Sequence, residues 1–164
     1  MDTTSSYECL DYDNHCDDRP DRSLATIETS YPDIQNIVSN SPIFLGSIVD
    51  GTKTGRSIKL NGNILIFRVP GLYLVTYSTS AVWTTLPYGT NEAIIQLELN
   101  QTLLDGSETR VQVLTPQPVE NQKSNLAKTV LIPVITRNSS LTLISTSLEI
   151  MGFIDTTVTV VKVG

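Results

Sequence analysis

The sequence predicts an all-β sandwich, and three observations carry that expectation. Val, Ile and Thr supply 14, 15 and 21 of the 164 residues, whereas Ala, Glu and Lys together supply only 16. Such a balance favours pleated strands over helices. From residue 43 onward, apolar segments of strand length recur without a sustained 3.6-residue period. Turn dipeptides punctuate them at Asp50-Gly51, Asn61-Gly62, Pro70-Gly71 and Asp105-Gly106, where proline fixes φ or glycine accepts a positive one. The length suits one domain, and 40% hydrophobic residues suffice for its core.

The first expected strand covers residues 43–49 and the next 64–69. Residues 72–84 form the longest. Its odd positions, Tyr73, Val75, Tyr77, Thr79, Ala81 and Trp83, lie on the face opposite Thr76, Ser78 and Ser80. Residues 91–100 alternate Ala93, Ile95, Leu97 and Leu99 with Gln96, Glu98 and Asn100, which predicts one buried and one wet face. Val111 and Val113 mark another strand, and a polar loop is expected from Pro116 to Ser124. Strands then follow at 126–135, 141–148 and 153–163. The last is apolar on both faces, with Val158 and Val160 opposite Val161 and Val163. Eight to ten strands on short polar connections suit a sandwich or jelly roll.

The net charge of −6 is unevenly spread: residues 1–33 hold nine acids and two bases, and the remainder is nearly neutral. Without a basic stripe, nucleic-acid binding is not expected. Residues 1–40, low in periodic apolar positions and interrupted by Pro20 and Pro32, read as a flexible acidic arm, and residues 41–164 as the folded domain. Both cysteines, Cys9 and Cys16, fall in the arm, so the fold needs no internal disulfide. Met1-Asp2-Thr3-Thr4 opens an acidic stretch, not an export leader, and no apolar run approaches a membrane span, so neither signal peptide nor membrane insertion is expected.

Catalytic chemistry finds few candidates. The single histidine, His15, is in the arm, which removes histidine-based triads from the domain. No nucleophile elbow, phosphate loop or dinucleotide motif occurs, and nothing pairs the domain's carboxylates. The cluster Cys9, Asp11, Asp13, His15, Cys16, Asp17 and Asp18 lacks a zinc-knuckle spacing and the glycine of a calcium loop, and reads as a solvated acidic segment. No metal, cofactor or enzymatic activity is expected. The sequons at Asn100 and Asn138 are no more than chance supplies in a chain so rich in Asn, Ser and Thr.

Three segments in order carry a resemblance: Val69-Pro70-Gly71-Leu72-Tyr73-Leu74-Val75-Thr76-Tyr77, then Leu97-Glu98-Leu99-Asn100-Gln101-Thr102-Leu103-Leu104-Asp105-Gly106-Ser107, then Thr157-Val158-Thr159-Val160-Val161-Lys162-Val163. Together they are similar to the tumour-necrosis-factor-like jelly roll of bacterial spore-surface (exosporium) proteins, over about residues 43–163. The chain departs from that pattern at Gln101, where the hairpin usually has Gly, and in having no collagen-like Gly-X-Y tract, while its short acidic, Cys-bearing arm is closer to the basal-layer type.

The resemblance implies a jelly roll of about ten antiparallel strands and a non-enzymatic homotrimer in the endospore outer layer, released without secretion. It also implies that the long and final strands lie together facing a three-fold axis, with Tyr73, Val75, Tyr77 and Trp83 as candidate trimer-interface residues. The residues alone leave a second option open, because aromatics dominate cores and interfaces alike. Cys9 and Cys16 become candidates for attaching or cross-linking other spore-layer proteins. The alternative is a jelly-roll recognition domain that binds a carbohydrate or receptor through loops 86–91 and 116–124.

Overall fold

The computed structural model describes residues 26–50, 57–86, 89–115 and 119–164, and every regular element among them is a strand. In chain order these are β1 Thr26–Tyr31, β2 Gln35–Ile37, β3 Ser41–Pro42, β4 Ser47–Ile48, β5 Ile58–Asn61, β6 Ile64–Phe67, β7 Gly71–Leu86, β8 Gly89–Leu99, β9 Thr102–Leu103, β10 Thr109–Thr115, β11 Val119–Val134, β12 Ser139–Ser145 and β13 Met151–Lys162. One sheet runs β11-β7-β13-β1-β4 with β2 on β13. The other runs β10-β8-β12-β6-β5 with β3 on β12 and β9 on β8. All pairs are antiparallel, and the crossovers between sheets make a jelly-roll sandwich.

Period-two alternation built the core as expected. Tyr73, Val75, Tyr77, Thr79 and Ala81 of β7 are all buried, as are Ala93, Ile95 and Leu97 of β8. They meet Val158, Val160 and Phe153 of β13 and Leu65, Phe67, Leu141 and Leu143 of the facing sheet. The long and final strands are neighbours, with Val160 opposite Val75 and Val158 opposite Tyr77.

The expected boundary at residue 40 is corrected by β1 and β2. Thr26 to Tyr31 pairs residue by residue with Val161 to Thr156, and Ile27 is fully buried. These strands escaped the sequence reading because β1 carries one bulky apolar residue, and its other inward position is Thr29, whose hydroxyl donates to the Val158 carbonyl. A buried amide fixes the segment further. Gln35 Nε2 donates to the Phe44 carbonyl at 3.1 Å and to Thr156 Oγ1 at 3.2 Å, while Gln35 Oε1 accepts from the Phe44 N–H at 2.6 Å. The Gln35 side chain thus pairs with Phe44 as a neighbouring strand would, and leaves no buried polar atom of its own unmatched.

The expected strand at 43–49 is also broken. Ile43 and Leu45 are buried, but Gly46 has a φ of 77°, and a Cβ there would lie 1.9 Å from the Ser30 carbonyl oxygen. Only glycine permits that approach. At the other correction, β11 begins at Val119: residues expected in a polar loop extend the ladder with β7, Gln122 opposite Trp83 and Lys123 opposite Val82.

The β8–β9 hairpin turns through Asn100 and Gln101 with φ of 51° and 65°, the two left-handed residues of a type I′ turn. The turn therefore survives the missing glycine. Asn100 is held there by its side chain, which accepts from the Ser140 N–H at 2.9 Å and donates to Ser139 Oγ at 3.2 Å. Gln101 has no such compensation among the described bonds, so Gln101→Gly is expected to stabilise the fold by about 1 kcal/mol, read as a higher denaturation midpoint at unchanged slope.

Candidate functional site

Tyr73, Val75, Tyr77 and Trp83, named as interface candidates, do not face outward. The first three are 0% exposed and Trp83 is 7% exposed within a single chain. Tyr73, Val75 and Tyr77 are closed core positions, and Trp83 is a core residue that also lines a cavity. Tyr73 donates its hydroxyl to the Val69 carbonyl at 2.6 Å, and Tyr77 donates to the Ser107 carbonyl. Burial pushes the pKa of both phenols above the ordinary tyrosine value, that of Tyr77 further under the nearby Glu108 carboxylate.

The opposite side of the same strands is the candidate site. Register defines its rows across β11, β7 and β13: Leu131, Leu74 and Val161; Thr129, Thr76 and Thr159; Ala127, Ser78 and Thr157. Pro133 and Leu72 extend it at one end, and Asn125 and Ser80 at the other. None of these thirteen residues is ionisable. Leu131 is 52% exposed and Leu74 36%, with Val163 beside them also open. The hydroxyls of Thr76 and Thr129 lie 2.9 Å apart, and Ser80 Oγ donates to Asn125 Oδ1 at 2.7 Å, so much of the polarity on this face is matched within it.

The outward face of the other sheet differs in kind. Lys59, Glu92, Glu98 and Arg110 stand on it, and Arg110 is paired with Glu108 and Glu92. Charge returns only at the margins of this patch, at Lys123 opposite Val82 and at Glu28 opposite Thr159, so the uncharged area is bounded by ionisable residues on two sides. An uncharged, shallow, partly aliphatic sheet face is the composition of a surface that becomes covered. The sequence reading named residues on the buried side of β7, whereas Val161 and Val163, read as surplus apolar surface, lie on the outward side.

A second feature sits at the end of the sandwich where β7 runs past its last pair with β13, Val82 opposite Gly152. A cavity of about 200 Å³ is lined by Trp83, Thr90, Asn91, Glu92, Gln112, Leu148, Glu149 and Met151. Among the described residues no group of His, Cys, Asp and Glu is placed to hold a metal ion, and no helix is long and apolar enough to cross a membrane. Cys9 and Cys16 lie outside the described residues.

No protein-family model matches the sequence, and no curated protein matches it. Solved structures match in fold. Eiger, a tumour necrosis factor from S. frugiperda, superposes with a TM-score of 0.68 over 87% of this chain and 94% of that one at 10% identity. Murine APRIL does so at 0.59 over 86% and 100% with 12% identity, and the globular domain of zebrafish complement 1qA at 0.56 over 83% and 94% with 7% identity. The chain therefore has the tumour-necrosis-factor-like jelly roll. At these identities the likeness defines the architecture and leaves function to the surfaces.

Proposed function

We propose that this protein is a non-enzymatic structural component of an endospore outer layer, a homotrimer joined through the uncharged face of β7, β11 and β13. The observation that carries the reading is that face itself: thirteen residues in register without an ionisable group, beside a second sheet that bears its charges openly. A closed ring of three copies would cover it and shield the long β11 edge from open-ended pairing. The order of the three sequence motifs supports the spore-surface, exosporium assignment. The acidic segment before β1 supplies attachment, with Cys9 and Cys16 as its cross-linking groups to other layer proteins.

Locating a tagged copy on sporulating cells tests the assignment. Label confined to the spore periphery is expected; label in vegetative cytoplasm with none on spores would overturn it.

The position of β1 sets where the arm can be cut. Deleting residues 1–25 removes both thiols and leaves every described strand, so the thermal transition should be unchanged while incorporation into the layer falls. Deleting to residue 33 strips β1 from β13 along six register pairs and should abolish cooperative folding. Equal behaviour of the two deletions would contradict the boundary at residue 26.

A further inference from the structure

The cavity at the Trp83 end is built from two kinds of lining. Trp83, Leu148 and Met151 are apolar, and Thr90, Asn91, Glu92, Gln112 and Glu149 bring hydroxyl, amide and carboxylate groups. Trp83 and Met151 are nearly buried and therefore fixed, whereas Leu148 is 90% exposed at the rim. Beside it stand Leu114, which pairs with the lining residue Thr90, and Ile150, both open to solvent.

The Glu92 carboxylate is held in place before any ligand arrives. Gln112 Nε2 donates to its Oε1 at 2.7 Å and Arg110 Nη1 to the same oxygen at 3.3 Å. Both bonds fall on Oε1, which leaves Oε2 directed by a fixed side chain and able to accept from an incoming hydroxyl. Gln112, having donated its amide N–H, keeps a carbonyl oxygen as a further acceptor.

Three properties narrow the ligand class. Among the described residues two carboxylates and no cationic side chain line the cavity, which disfavours phosphates, sulfates and uronates. Arg110, shared between Glu108 and Glu92, offsets part of the Glu92 charge, so an organic cation is the competing ligand class that the choline titration must separate. The volume is below the ~300–1,000 Å³ of sites that enclose drug-sized ligands, so it suits one ring. A ring that is apolar on its C–H face and rich in hydroxyl donors around its edge matches apolar side chains set beside fixed acceptors. We propose that this cavity is a binding site for a single neutral sugar ring, such as the terminal unit of a glycan. The cavity lies beyond the Ser80–Asn125 pair that ends the self-association face.

Trp83 is the only tryptophan in the chain, so its emission reports this cavity alone. The test titrates the full-length protein with galactose, rhamnose and N-acetylglucosamine, with glucuronate and choline as the anionic and cationic counterparts. A saturable change in emission with at least one neutral sugar is expected. Glu92→Ala should weaken it about tenfold, as loss of a hydrogen bond to a charged group does. Leu148→Ser, at an exposed position that cannot disturb folding, should weaken it too. No saturable change with any neutral sugar at about 50 mM, where a millimolar ligand would saturate, overturns the proposal. Saturation by glucuronate or choline alone also overturns it, as does sugar binding that both variants retain in full.

Discussion

Tyr77→Asp is expected to unfold the chain, whatever its state of assembly. The ring is fully buried between the two sheets and its hydroxyl donates to the Ser107 carbonyl, the group at the end of the Asp105-Gly106 turn. Ser107 is itself a junction: its Oγ donates to the Leu104 carbonyl at 2.7 Å and accepts from the Leu97 N–H at 3.1 Å. Aspartate would remove the ring, leave a cavity costing about 3–5 kcal/mol, and bury a carboxylate without a partner at several kcal/mol more. Against a total stability of about 5–15 kcal/mol, little native protein remains. Circular dichroism should show no cooperative transition. Tyr77→Phe, which keeps the ring and leaves the Ser107 carbonyl without this donor, should fold with a loss of about 1–3 kcal/mol. A folded, monomeric Tyr77→Asp protein would place Tyr77 at an interface after all.

The same phenols set an alkaline limit. Their pKa is raised in the folded state, so the stability they contribute is complete below the ordinary tyrosine value of about 10 and is lost as pH rises above it. Denaturation midpoints should therefore fall steeply only beyond about pH 10, and less steeply in Tyr77→Phe.

Leu74→Arg is expected to have the opposite character: no effect on folding and complete loss of assembly. Leu74 lies between Leu131 and Val161 on the uncharged face and is partly exposed in one chain, so an arginine there is solvated in the monomer. In a closed ring the substitution enters three times, and each guanidinium would be desolvated among aliphatic side chains. The monomer's thermal transition should move by less than about 0.5 kcal/mol, the usual range for an exposed position. Glu98→Arg, on the charged face of the other sheet, should leave assembly intact. If both variants assemble normally, the β7–β11–β13 face is not the joining surface.

The strands legible in the sequence were those whose inward residues are bulky. Tyr73, Val75 and Tyr77 on β7, and Ala93, Ile95 and Leu97 on β8, alternate so regularly that the two faces of each strand separate in the sequence, and all six are buried. β1 and β2 were not legible because their inward positions include Thr29 and Gln35, polar residues whose burial depends on partners more than 100 residues away, at Val158 and Thr156. The break at Gly46 was hidden for a similar reason, since only the approach of the Ser30 carbonyl requires glycine there. The candidate face was half legible. Aromatic size drew attention to one side of β7, and period two gave no means of deciding which side faces the second sheet. The absence of charge at Thr76, Ser78, Thr129, Thr157 and Thr159 carries the better signal, but it emerges only when register sets three distant strands side by side. The Trp83 cavity was not legible at all beyond the loop at 86–91, because its lining comes from four strands, β7, β8, β10 and β13, and the connection before β13.

The central claim is that three copies close on the uncharged face, and light scattering on the purified full-length protein tests it most directly. At micromolar concentration in reducing buffer the mass should be three times the 18.0 kDa of one chain, and Leu74→Arg should bring it to that of a single chain with its thermal transition retained. A wild-type mass of 18.0 kDa under the same conditions would contradict the account.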